Sequence, residues 1–110
     1  MSAQSQVLLN ETAAAATVNS RSAAPLGSSI GVALDVTAVS GTPTLDVEIE
    51  WSGDGVNWVA AGTPQVLTQA TTTTQQVVRF DCQAALFRVA ATIGGTTPSF
   101  DFSVVVTHFS

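Results

Sequence analysis

The chain has 110 residues, of which 45% are hydrophobic and only 10% charged, against roughly 25% charged in typical usage. With a net charge of −5, and Arg21, Arg79 and Arg88 as its only lysine or arginine residues, it lacks the basic stripe that nucleic acid or an anionic membrane would require. That length is one domain, large enough to bury a core without staples, and the single Cys82 cannot form an internal disulfide.

The chain opens with Met1-Ser2-Ala3-Gln4, which offers neither a basic region nor a long apolar run. The expectation is no signal peptide, no transmembrane helix and synthesis in a reducing cytoplasm. Residues 1–28 are rich in Ser, Ala and Gln, with one apolar patch at Val7, Leu8 and Leu9. They read either as a first strand plus a long loop, or as an irregular arm whose Val7, Leu8 and Leu9 dock on a neighbouring subunit. On the second reading, removing residues 1–20 leaves a folded but assembly-deficient domain.

Residues 29–110 show the period-two alternation of half-buried strands. Ile30, Val32, Leu34, Val36 and Ala38 form one set, and Leu45, Val47, Ile49 and Trp51 the clearest one. Val78 and Phe80 follow a Thr- and Gln-rich run suited to a strand. Phe87, Val89, Ala91 and Ile93 and then Phe100, Phe102, Val104 and Val106 complete the pattern. Ser40-Gly41-Thr42-Pro43, Gly53-Asp54-Gly55, Gly62-Thr63-Pro64 and Gly94-Gly95-Thr96-Thr97-Pro98 read as the intervening turns. The prediction is an all-β, single antiparallel β-sandwich, Ig-like or jelly-roll-like, over 29–110, with an N-terminal strand or arm over 1–28. Val32, Leu34, Val36, Val47, Ile49, Phe87, Val89, Phe100, Phe102 and Val104 are the expected core.

Nothing in the chain assembles a recognisable catalytic apparatus, and no cofactor or metal is expected. Asp46, Glu48 and Glu50 share one strand face and read as solvated carboxylates. A Cys82–His108 dyad is conceivable on paper. A lone cysteine, however, is usually a small buried apolar residue, and a terminal histidine a surface or interface one. No His/Cys cluster has zinc spacing, and no glycine loop has phosphate-binding spacing. The segment Trp51-Ser52-Gly53-Asp54-Gly55-Val56-Asn57-Trp58 reads as a hairpin tip, with Asp54 and Asn57 bonding local backbone. It is similar to hairpins of discoidin-type and other carbohydrate-binding sandwiches, in which exposed tryptophans stack on sugars. A sialidase-type Asp box does not fit, because Gly55 follows Asp54 one residue too early.

From about Val36 to the end, the chain resembles a group of small tailed-bacteriophage virion proteins. The segments carrying the likeness are Leu45-Asp46-Val47-Glu48-Ile49-Glu50-Trp51 with the hairpin above, and Phe87-Arg88-Val89-Ala90-Ala91-Thr92-Ile93 with Gly94-Gly95-Thr96-Thr97-Pro98-Ser99-Phe100-Asp101-Phe102-Ser103-Val104. The resemblance covers about two thirds of the chain and none of residues 1–35. It implies a non-enzymatic homo-oligomer in the virion, binding the major capsid or other virion proteins. The leading expectation is a capsid decoration, or cement, protein. The alternatives are a head–tail connector or tail component, and a carbohydrate-binding module using Trp51, Asp54, Asn57 and Trp58, with a glycan as the lesser partner.

Overall fold

A computed structural model describes residues 3–60 and 67–109, with side chains from Ser5 onward; the expected turn at Gly62-Thr63-Pro64 lies outside the described residues. The strands are β1 (Ala3–Ala14), β2 (Val18–Asn19), β3 (Ser29–Ser52), β4 (Val59–Ala60), β5 (Thr74–Asp81) and β6 (Leu86–Phe109). All pairings between them are antiparallel.

The frame is a two-strand ribbon. β3 and β6 pair along their whole lengths, from Ser29↔Phe109 to Ser52↔Leu86. Each has 24 residues. A straight strand of that length would reach about 79 Å at ~3.3 Å per residue. The molecule's longest dimension is 41 Å, so the ribbon must double back. The fold-over closes the core: Phe87, near the start of β6, lies with its ring centroid 5.9 Å from that of His108, near the end of the same strand. One sheet therefore makes both layers of the sandwich. The first layer runs β1, residues 100–109 of β6, residues 29–39 of β3, then β5. The second contains the other halves of β3 and β6, flanked by β2 and Ala23 on one side and by β4 and Ala70 on the other.

Here the structure departs from the sequence reading. Ser40-Gly41-Thr42-Pro43 and Gly94-Gly95-Thr96-Thr97-Pro98 do not end strands. They lie opposite each other, Thr42↔Thr96 and Pro43↔Gly95, and form the bend of a continuous ribbon. Two bulges create it. β3 carries one extra residue between Val36 and Ala38, and β6 one extra between Thr96 and Ser99. Each extra residue shifts its strand's alternation by one. That is why the large buried side chains are even before the bend in β3 (Ile30, Val32, Leu34, Val36) and odd after it (Leu45, Val47, Ile49, Trp51), with the reverse switch in β6, and why Ala38, expected on the face of Ile30, is exposed beyond the bulge. Gly41 and Gly95 have φ of +83° and +98°. A Cβ on Gly41 would run into the Thr97 carbonyl, and one on Gly95 into that of Thr42, so only glycine fits either position.

All ten residues expected in the core are buried. Leu8 and Leu9 join the same cluster. Residues 3–14 are a bulged strand paired with β6, where the sequence reading allowed an irregular arm. Val7 pairs with Val105 and Leu9 with Val104, a bulge that turns both leucines inward.

Candidate functional site

The hairpin tip is built as its sequence suggests. β4 returns along β3 with Trp51↔Val59 and Glu50↔Ala60. Between them Asp54 organises the loop. Its Oδ1 accepts the backbone N–H of Val56 at 2.8 Å and of Asn57 at 2.9 Å, and its Oδ2 accepts Asn57 Nδ2 at 3.0 Å. Ser52 Oγ takes the Gly55 N–H at 2.8 Å. The Asn57 backbone donor, then that of Val56, then the Asn57 and Ser52 side chains hold the Asp54 carboxyl far below the ordinary carboxylate range. Asp54 is thus a loop anchor, with its acceptor sites turned back on its own loop.

The two tryptophans part company. Trp51 is only 4% exposed and stacks near Phe87, its ring centroid 5.7 Å away. Trp58 lies at the rim with the Arg88 guanidinium 4.6 Å over its ring, and Arg88 Nε donates to Glu50 Oε1 at 2.7 Å. Trp51 has no face open to a sugar, and one face of Trp58 is occupied by Arg88. Among the strand carboxylates, Glu50 is taken by Arg88, and Asp46 accepts two hydrogen bonds from Gln69 Nε2 at 3.1 Å.

Cys82 and His108 each serve the backbone of residues 25–28. Cys82 Sγ donates to the Gly27 carbonyl at 3.1 Å, and burial, then the nearby Asp81 charge, push its thiol up. His108 Nδ1 accepts the Leu26 N–H at 3.3 Å, and burial pushes its imidazole down. His108 is buried within its own chain, where the sequence reading expected a surface or interface residue.

Of the apolar patch in the N-terminal segment, only Val7 faces outward, at 52% exposed, while Leu8 and Leu9 pack inside their own chain. Val7 begins a feature that the alternation did not reveal. It lies beside Val105, Val105 beside Ala33, and Ala33 beside Val77, one residue from each strand of the first layer. This apolar row crosses the outer face from edge to edge, and its last member, Val77, is 77% exposed. The rows on either side are polar. One holds Ser5, Thr107 and Arg79 around Gly31; the other holds Asn10, Ser103, Asp35 and Gln75. A shallow groove of about 310 Å³ runs along it between Ala33, Val77 and Val105 on one side and Asp35, Gln75 and Ser103 on the other.

No protein-family model and no curated protein matches the chain. Among solved structures, it is similar to a chain in the structure of infectious bursal disease virus Gx strain, at 15% identity and a TM-score of 0.46. The likeness covers 96% of this chain and 30% of that one.

The outer row escaped sequence reasoning for a physical reason. Its four members come from four strands, and three of them, Ala33, Val77 and Val105, sit at outward positions that alternation assigns to solvent. A valine at an outward position was the available signal, at Val77 and at Val105.

Proposed function

We propose that this chain is a non-enzymatic structural protein of a phage particle, a capsid decoration protein that works as a homo-oligomer on the shell. The observation that carries the reading is the outer face of the first layer. An apolar row bordered by polar rows resembles a small interface, with an apolar centre and a polar rim. Its surroundings are Ser, Thr, Asn and Gln more than charged groups, and these desolvate at lower cost than charges. The sequence likeness to tailed-phage virion proteins points the same way. On this reading the partners are other copies and the major capsid protein, and location in the virion follows. A head–tail connector or tail component is the second reading, and copy number separates the two: hundreds of copies per particle for decoration, about a dozen for a connector.

The experiment compares thermal genome release from particles with and without the protein. A ligand that binds only the assembled state raises its stability by mass action. Particles lacking the protein should therefore release their genome at a lower temperature. Equal release temperatures would overturn the decoration role.

A further inference from the structure

The first layer ends on two edges, and β5 is the bare one. Its eight residues pair with β3 from Ser29↔Asp81 to Val36↔Thr74 without a register shift. It contains no proline and no bulge, two of the usual protections of an exposed edge, and its charged residues, Arg79 and Asp81, lie in its second half. Among the described residues no strand lies on its other side. Val77 stands near its middle, at the end of the apolar row.

We propose that a second copy of this chain adds its own β5 to this edge, antiparallel, about a two-fold axis through Val77. The proposal rests on the oligomer named above and specifies its contact. A two-fold axis at Val77 has a definite consequence for the flanking rows. It places Arg79 of one copy opposite Gln75 of the second, and so brings the row holding Arg79 into line with the row holding Gln75 and Asp35. Asp35 accepts only a long bond from Gln75 Nε2, at 3.4 Å. Arg79 bonds Ser29 Oγ at 2.8 and 3.1 Å and lies over the Phe109 ring. Across the axis Arg79 of one copy and Asp35 of the second, of opposite charge, come onto one row. The second strand over lies about 9.6 Å away at sheet spacing, within the combined reach of an arginine and an aspartate side chain. The axis also joins the two apolar rows end to end, giving a self-complementary contact of the kind closed dimers use.

Register is tested by cross-linking in a Cys82→Ser background. Val77→Cys, opposite itself across the axis, should give a covalent dimer on diamide oxidation. Gln75→Cys, which faces position 79, should remain monomeric. Both positions are exposed, so the fold should survive, as a melting curve will show. Sedimentation tests the charges: Asp35→Arg and Arg79→Asp should each weaken the dimer, and the double exchange should restore it. If both cysteine variants cross-link equally, or the double exchange leaves the dimer as weak as either single variant, the β5 register is wrong. A wild-type oligomer indifferent to all these changes overturns the β5 contact but keeps the oligomer. A wild-type monomer at every concentration overturns both.

Discussion

The two edges of the first layer solve the same problem in opposite ways. β1 is irregular: it bulges between Val7 and Leu9, shifts register again between Glu11 and Ala14, and holds Ala13 at φ +52°. Arg21 reaches across from outside the strand to donate to the Val7 carbonyl at 3.4 Å. Ala13 N–H is spent on Asp101 Oδ1 at 2.7 Å. β5 has an unbroken register, and it is tied to residues outside the sheet through the Gln76 side chain, which accepts the Thr68 N–H and donates to the Thr68 carbonyl, both at 2.9 Å. An edge strand with free backbone groups is a template for another chain, and bulges are one way of spoiling it. β1 therefore finishes the fold, whereas β5 is left able to extend it.

The largest test of that contrast is truncation. Deleting residues 1–14 removes Leu8 and Leu9 from the core and strips residues 100–109 of β6 of a partner strand. The expected result is loss of a cooperative thermal transition, although a docking arm would have left a folded domain. Point substitutions sharpen the contrast. Leu9→Ala should cost about 2–5 kcal/mol in denaturant unfolding, as buried leucine truncations do. Val77→Ala, on the open edge, should stay within about 0.5 kcal/mol in the monomer.

A smaller test uses pH. His108 pairs with Gln4 of β1 and with Ile30, and holds Leu26. Burial lowers its folded pKa, so the unfolded chain takes the proton first. Its contribution is therefore fully present above the unfolded value of about 6.5 and falls away as the pH drops below that. Melting temperature should fall from pH 7 to pH 5, and His108→Gln should flatten the slope. The smallest effect belongs to neither edge. The lowered folded pKa of Asp54 means that its stabilisation is present above the ordinary unfolded aspartate pKa and declines as pH falls below it. Asp54→Ala should loosen the 53–58 loop, seen as faster amide exchange at Val56 and Asn57, and leave both edges unchanged.

Much of this was legible in the sequence, and the failures share a cause. Alternation found Val32, Leu34, Val47, Phe87 and Phe102, because a strand with one buried face must repeat every two residues. It found the hairpin tip, because Asp54 and Gly55 carry local turn chemistry. It misread Gly41-Thr42-Pro43 and Gly94-Gly95, because the same residues permit a turn or a bulge, and only the partner strand decides between them. The adjacent Leu8 and Leu9 broke the alternation for the same reason. A bulge turned both inward, and the strand that receives them lies more than ninety residues away, at Val104 and Val105. The outer apolar row depends wholly on cross-strand register, which no local pattern contains.

Hydrogen exchange tests most directly the claim that β5 is the edge left for assembly. Amide protection is compared between the dilute chain and the assembled particle. Residues of Thr74–Asp81 should gain protection on assembly, while β1, already closed by its bulges and by Arg21, should change little. Protection gained by β1 with β5 unchanged would contradict it.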